Sequence, residues 1–361
     1  MNVPFTLTWY GCDLLTGAIT EELPSLEPTQ GLSRKLGAVT SCNFTLLLGD
    51  NIPTEWAAAT DPGRTMIVAV DDTTGYPVWA GIILTREGGS DGAIGIGACS
   101  PEGYLDRRYP GTYSEAAIDA STVMADLAAG IVTAGPPFLF DVTASGLLID
   151  YLTLDLDDKT VLSQIQTISQ MAGAPEWTVD VQWADADRTA FQLLVRIAPT
   201  IGAIDGRPEA VFDLPGCIAS YRLSESYEQG RGATVVQASG EGEGDARVVS
   251  DVQTATDLIA AGWPRWVHRY TPGTGITDVT QLNAHAQATL ELMKQGARTW
   301  TVDAVASAAP RLGSTWGLGD SISIQITRSP RHPNGASVVA RAFGWDLDTK
   351  ADKLTPLLLE G

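Results

Sequence analysis

No apolar run in the chain approaches the roughly 20 residues that cross a bilayer. Its start, Met1-Asn2-Val3-Pro4-Phe5-Thr6, has neither the basic n-region nor the apolar h-region of an export signal. The expectation is a protein neither inserted in a membrane nor exported by a signal peptide. Positive charge is scarce: 23 Lys and Arg stand against 43 Asp and Glu, a formal net charge of −20 spread along the chain instead of collected in a tail. Such a surface repels nucleic acid, so sequence reading or backbone gripping of DNA is not expected. Cysteine and histidine are few. Cys12, Cys42, Cys99 and Cys217 form no C-x-x-C pair, and His268, His285 and His332 do not cluster with them, so no zinc site is expected. The cysteines fall in or beside expected strands and read as small buried hydrophobes. A Cys12–Cys42 bridge stays open only if their strands pair.

What the chain does have is length and alternating strands. With 361 residues and 44% hydrophobic composition it has enough apolar material for two or three cored domains. The clearest pattern lies near the end. Trp300, Val302, Ala304 and Ala306 share one strand face; Ile322, Ile324 and Ile326 share another with polar residues between. The turn-rich 329–335 segment then reverses the chain into Val339, Arg341, Phe343, Trp345 and Leu347. An antiparallel β unit is expected there, its last strand apolar on both sides.

Residues 1–105 read as an all-β module. Leu7 and Trp9 alternate with Thr6, Thr8 and Tyr10, and Phe44, Leu46 and Leu48 repeat the pattern. Met66–Asp71 and Val78–Arg86 bracket the turn chemistry of 72–77, which predicts a hairpin; 92–98 adds a strand. Five or six strands without a helix of length make a small barrel or sandwich. Residues 106–212 change character. Ser121-Thr122 is set to cap a helix burying Val123, Met124, Leu127 and Ala128. A second helix follows Asp157-Asp158 with Val161, Leu162, Ile165, Ile168, Met171 and Ala172 at helical spacing and Gly173 as its stop. Strands through Trp177–Trp183 and Phe191–Ile197 follow, giving a helix packed on a small sheet. From 213 to 361 the chain returns to strands at 218–223 and 233–238. A helix near 279–296 is inserted there, with Asp278 and Gln281 as capping pair and Leu282, Ala286, Leu290 and Met293 inward.

Candidates for chemistry each have a structural counterpart. The glycine-rich loop 240–244 lacks the Lys-Ser/Thr and the strand–loop–helix setting of a phosphate site, and its glutamates repel phosphate. The clusters Asp71, Asp72 and Asp155, Asp157, Asp158 suit calcium or a glycosidase carboxylate pair, but such residues more often cap helices and line turns. No G-x-S-x-G elbow is present. Trp9, Trp177, Trp183, Trp300 and Trp345 sit at inward strand positions. Only Trp263 and Trp266, flanking Pro264-Arg265, hint at an exposed aromatic platform. No catalytic, cofactor or metal residue is assigned.

Several phrases together resemble minor tail proteins of long-tailed actinobacterial phages. They are Trp9-Tyr10-Gly11-Cys12-Asp13, Leu32-Ser33-Arg34-Lys35-Leu36-Gly37, Trp56 through Asp61-Pro62-Gly63-Arg64, and Val78-Trp79-Ala80-Gly81-Ile82-Ile83. Tyr104-Leu105-Asp106-Arg107-Arg108-Tyr109, the Glu176-Trp177 passage, and Trp316-Gly317-Leu318-Gly319-Asp320 to Gly344-Trp345-Asp346-Leu347 and Leu354-Thr355-Pro356 continue it. The resemblance is to the baseplate hub (tail-tip hub) family and runs along nearly the whole chain. It implies a mainly β fold with α/β insertions: two tail-tube-like β-barrel modules, 1–105 and 213–361, flanking the helix-plus-sheet module 106–212. It also implies a structural, non-enzymatic virion protein, a homotrimer at the tail tip. The implied partners are the distal tail protein or tail tube ring, the tape measure protein C-terminus, and tip or fibre proteins. No lysozyme or peptidase segment accompanies it, and no functional residue is carried over. Two other readings remain: a host-glycan-binding tail protein using Trp263 and Trp266, and a cell-wall hydrolase using a carboxylate pair. The hub reading further expects the two β modules to superpose, and the channel wall to carry more Asp and Glu than Lys and Arg.

Overall fold

A computed structural model describes residues 4–49, 53–130, 135–240, 247–272 and 278–359. The protein is mainly β, with curled half-barrel sheet and a few helices. Its contacts divide it into two units. The first comprises Met1–Ser220 with Val302–Leu358, and the second Tyr221–Thr301 with Leu359–Gly361.

The first unit opens with β1 (Leu7–Asp13), β2 (Ile19–Glu22), β3 (Leu26–Pro28), β4 (Leu32–Lys35) and β5 (Ser41–Leu47). The short helix α1 (Trp56–Ala59) precedes β6 (Thr65–Asp71), β7 (Pro77–Gly88) and β8 (Ala93–Cys99). Seven of these strands make one sheet in the order β2-β1-β6-β7-β8-β5-β3. The expected 66–86 hairpin is the β6–β7 pair. All seven residues of β6 are buried, because both faces of that central strand are covered. In β5 the alternation holds, with Cys42, Phe44 and Leu46 inward. Phe44 packs edge-on against Trp9 at 5.3 Å and tilted against Trp79 at 5.6 Å, geometries that aromatic quadrupoles favour. Cys12 in β1 and Cys42 in β5 are separated by three intervening strands. Their strands do not pair, both thiols are free, and the bridge left open by the sequence is not formed.

Next come β9 (Tyr113–Asp119), α2 (Ala120–Ala129), β10 (Phe138–Val142), β11 (Leu148–Thr153), α3 (Val161–Ser169), β12 (Glu176–Trp183) and β13 (Phe191–Ala198). Strands β10-β13-β12 form one small sheet and β11-β9 another. Both helices lie where periodicity predicts, but their ends differ from expectation. Asp119, not Ser121-Thr122, caps α2 by accepting from the Ser121 amide, and Thr160 caps α3 by accepting from the Ser163 amide. Helix α3 ends at Ser169, so Met171 and Ala172 are exposed and Gly173 lies beyond its C-cap. Val123, Met124, Leu127, Ile165 and Ile168 share one core with Met66, Val68, Trp177, Val179 and Val195. The helices therefore cover apolar surface offered by both neighbouring sheets.

The last sheet contains β14 (Val211–Leu214), β15 (Ile218–Ser226), β19 (Ala297–Val305), β20 (Ser321–Ile326), β21 (Ala336–Asp348) and β22 (Lys353–Leu358), in the order β14-β20-β21-β22-β19-β15. Its seventh strand is β4, from the beginning of the chain, paired antiparallel with β21. A bulge between Ala342 and Gly344 changes the register of β21. It puts Ala342 on the buried side before it and Trp345 and Leu347 on the buried side after it, while Val339 is exposed. An uninterrupted period-two reading misses this, because the extra residue exchanges the faces.

Strands β15 and β19 carry the chain across the unit boundary. The second unit adds β16 (Val235–Ala238), β17 (Gln253–Thr254), α4 (Thr256–Ala260), β18 (Val267–Tyr270) and α5 (Val279–Met293), with sheet order β17-β16-β18. Asp278 caps α5 by accepting from the Thr280 amide. Leu282, Ala286, Leu290 and Met293, at helical spacing, close a core over Ala233, Val236 and Ala238. The helix expected near 279–296 is thus α5, with Gly296 in the left-handed region just past it. Most of the glycine-rich loop 240–244 lies outside the described residues.

Candidate functional site

The strongest electrostatic features of the first unit are three arginines that join distant segments. In β4, Leu32 and Arg34 occupy inward positions, so a guanidinium is carried into an interior. Its Nη1 donates to Asp180 Oδ1 at 2.8 Å; its Nη2 donates to Thr178 Oγ1 at 2.9 Å and to the Val179 carbonyl at 2.7 Å. Glu102 lies 3.5 Å away and also accepts from the Val179 amide at 3.0 Å. Burial, the largest influence on Arg34, opposes its charge, but Asp180 and Glu102 outweigh it and raise its pKa.

Arg311 reaches Asp71 through Nε at 2.8 Å and through Nη2, and its guanidinium lies 4.0 Å from the centre of the Phe5 ring. Burial acts to raise the fully buried Asp71. The hydrogen bonds from Arg311, Thr74 and the Thr73 amide outweigh it and hold the carboxyl below its ordinary range. Arg341 donates from Nη1 to Glu176 Oε1 at 2.6 Å, from Nη2 to the other oxygen, and from Nε to the Gly319 carbonyl at 2.8 Å. Three paired guanidiniums thus tie the N-terminal strands, the central sheet and the C-terminal strands to one another. The bidentate forks of Arg311 and Arg341 fix orientation as well as distance.

A cleft of about 520 Å³ lies beside this network and is lined in part by Arg34, Asp180, Arg196 and Asp141. Its charges pair internally: Arg196 is 3.3 Å from Asp180 and 3.6 Å from Asp141. Among these residues no charge is left uncompensated to select a ligand.

In the second unit the two candidate tryptophans come together through a residue the sequence reading did not single out. Tyr227 lies between them, its ring centre 5.4 Å from that of Trp263 and 6.1 Å from that of Trp266. The indoles are 41% and 50% exposed. Beside them a groove of about 730 Å³ is lined by Tyr227, Glu228, Gln229, Trp266, His268 and Arg269. Tyr227 is 36 residues from Trp263, so only the fold brings it there.

The other candidates are occupied locally. Asp71 holds Arg311, while Asp72 accepts from Thr8 Oγ1 at 2.6 Å. Asp157 accepts from the Leu154 amide at 3.3 Å and lies 3.7 Å from Lys159. Among the described residues no group of three or more His, Cys, Asp or Glu is placed to hold a metal ion. His268 stacks on Tyr270 at 5.4 Å in β18, His285 lies in α5, and His332 lies in the turn before β21. Burial pushes the Cys42 thiol up to about 12 and the Cys99 and Cys217 thiols up to about 11, and raises that of Cys12 further. None is poised as a thiolate nucleophile at neutral pH. No helix among the described residues is long and apolar enough to cross a membrane.

No family model and no curated protein matches the sequence. Solved structures do share the fold. The tail protein from Neisseria meningitidis MC58 is 14% identical, with a TM-score of 0.56 over 99% of this chain and 96% of that one. The prophage MuSo2 43 kDa tail protein from Shewanella oneidensis is 11% identical, with a TM-score of 0.56 over 98% of each chain. Prophage tail protein gp18 from Listeria monocytogenes EGD-e is 10% identical, with a TM-score of 0.54 over 98% of this chain and 94% of that one. The fold is therefore one that phage tail proteins adopt along essentially their whole length.

Proposed function

We propose that this chain is a structural protein of a phage tail, a trimeric baseplate or tail-tip hub that joins the tail tube to tip or fibre proteins and surrounds the DNA exit path. The observation that carries this reading is the whole-chain likeness to three tail proteins. Two seven-stranded sheets in one chain suit it further, because a threefold ring meets a sixfold tube by presenting two similar surfaces per subunit. In this reading the protein acts through interfaces and has no catalytic step. Its partners are the distal tail protein or tube ring, the tape measure protein C-terminus, and tip or fibre proteins. Its place is the tail tip of the virion, after assembly in the host cytoplasm. With a net charge of −20 per chain, the DNA path is lined by more carboxylates than cations, and passing duplex is not held by counterion release. Native mass spectrometry tests the assembly and immunogold labelling its place. The expected results are a complex of three 38.2-kDa chains and label confined to the tail tip. A monomer at micromolar concentration, with tails unlabelled, overturns the proposal.

A second reading rests on the Trp263–Tyr227–Trp266 cluster. Half-exposed aromatic faces beside a groove carrying Glu228, Gln229, His268 and Arg269 match the stacking and hydrogen bonding by which sugars are held. Under this reading Trp263→Ala with Trp266→Ala lowers phage adsorption at least tenfold while tails still assemble. Unchanged adsorption removes it.

A further inference from the structure

The two-stranded sheet β9–β11 has two unlike faces. Tyr113, Ile118, Ile149 and Tyr151 pack against the apolar core of the first unit. On the other face Leu148 and Leu152, 65% and 64% exposed, share one side of β11. The extended backbone of Leu154 continues that side, and Leu156, in the short 3-10 turn that follows, is 91% exposed. Leu148, Leu152 and Leu154 thus form a strip along one side of the chain for about 20 Å at about 3.3 Å per residue, with Asp150 on that side between the first two and Leu156 just beyond them. Leucines collected in this way leave apolar surface in water, a cost soluble proteins usually accept only at a contact site.

The surroundings of the strip say what covers it. From Tyr109 to Asp158 the chain contains no Lys or Arg, while Asp150 stands among the leucines and Asp155, Asp157 and Asp158 follow in the turn; Glu115, opposite Tyr151 in β9, belongs to the other face. Asp150 accepts from the Ala117 amide at 2.8 Å, and Ala117 sits in the left-handed region, where β9 bulges opposite Asp150. The nearest cation in the chain, Lys159, is 3.7 Å from Asp157. Exposed leucines interspersed with and followed by carboxylates are complementary to an aliphatic surface that carries Lys or Arg. A second copy of this chain suits the strip poorly, since its own net charge is −20.

We infer that the Leu148–Leu156 strip is a docking surface for a partner protein that presents an apolar patch rimmed by basic side chains. The leucines supply the affinity; the carboxylates among and beyond them steer association and reject acidic surfaces. This inference does not depend on the tail reading, since it follows from the strip and its border alone.

The test uses the full chain with two amphipathic helical peptides of equal length, one of Leu and Lys and one of Leu and Glu, followed by fluorescence anisotropy. The Leu/Lys peptide is expected to bind with an affinity that falls as salt rises, and the Leu/Glu peptide not to bind. The variant Leu148→Ser, Leu152→Ser, Leu156→Ser keeps every charge and is expected to weaken binding at least tenfold. Asp155→Asn with Asp158→Asn is expected to flatten the salt dependence. Because the leucines are exposed, the serine variant should keep the parent's circular dichroism and unfolding midpoint. Equal Leu/Lys binding by the parent and a folded serine variant overturns the inference, for then only net charge attracts the peptide. So does sedimentation equilibrium in which the parent self-associates and the serine variant is monomeric, for then the strip is a contact between copies.

Discussion

Replacing Arg34 with alanine will lower the unfolding free energy of the first unit by about 3–5 kcal/mol, the range for breaking a buried ion pair from one side. The cost arises from what is left behind. Glu102 is buried, and its Oε2 already has no hydrogen-bond partner; without the guanidinium its charge faces only the Thr178 hydroxyl and the Val179 amide. Asp180, still 3.3 Å from Arg196, is less affected. The double variant Arg34→Ala, Glu102→Gln should therefore be more stable than Arg34→Ala alone, because the stranded charge is gone. Lys350→Ala, which removes an exposed partner 2.8 Å from Glu27, should cost no more than about 1 kcal/mol. Urea unfolding followed by tryptophan fluorescence measures all three. Equal losses at Arg34 and Lys350 would show that the network adds nothing beyond a surface pair.

The second large effect is steric. Gly17 lies in the turn between β1 and β2 at φ +71°, and a Cβ there would stand 1.7 Å from the Phe191 carbonyl oxygen. The turn is fastened at that point: the Phe191 amide donates to the Gly17 carbonyl at 2.9 Å, and the Ile19 amide donates to the Thr189 carbonyl at 3.0 Å. Gly17→Ala must part the turn from β13 or tilt the strand, and should cost about 3 kcal/mol or more, in the tail of single-substitution effects. Gly63 separates the two contributions. It has a similar φ of +75° but nothing within 4 Å of its Cβ position, so Gly63→Ala should cost only the about 1–2 kcal/mol of the left-handed conformation. Similar losses for both variants in thermal unfolding would refute the close approach at Gly17.

The strand alternation of Phe44 and Leu46, the helical spacing from Val161 to Ile168, and the Asp278 cap of α5 were all legible in the chain, and the structure places each where its pattern predicts. These are local signals, set by a period of 2.0 or 3.6 residues and by a side-chain oxygen within reach of an amide. Helix ends were less legible. Asp119 and Thr160 lie two or three residues from the candidates favoured by composition, and any of several polar residues satisfies the same free amide. The C-terminal strand misled for a different reason: one bulged residue near Phe343 exchanges inside and outside, and periodicity carries no mark of it.

The candidate site divides in the same way. Trp263 and Trp266 stood out as neighbours in sequence. Tyr227 did not, since nothing near it marks an aromatic that would be folded between two indoles. The joining role of Arg34, Arg311 and Arg341 was equally hidden. Arg34 and Arg341 lie in strands and Arg311 in a loop, and nothing local marks their acceptors, which lie 146, 165 and 240 residues away. The exposed strip on β11 was obscured because Leu147-Leu148-Ile149 reads as core whichever face is buried.

By itself the sequence determined the mainly β class, the helices, the scarcity of cations, and the absence of metal and nucleophile motifs, because composition and short-range periodicity act over a few residues. Only the tertiary structure decided that β4 completes the last sheet, that three strands separate those of Cys12 and Cys42, which carboxylates meet which arginines, and which leucines remain in water. Those outcomes depend on pairings across tens to hundreds of residues, where many arrangements satisfy the same local pattern and close packing with charge neutralisation selects one.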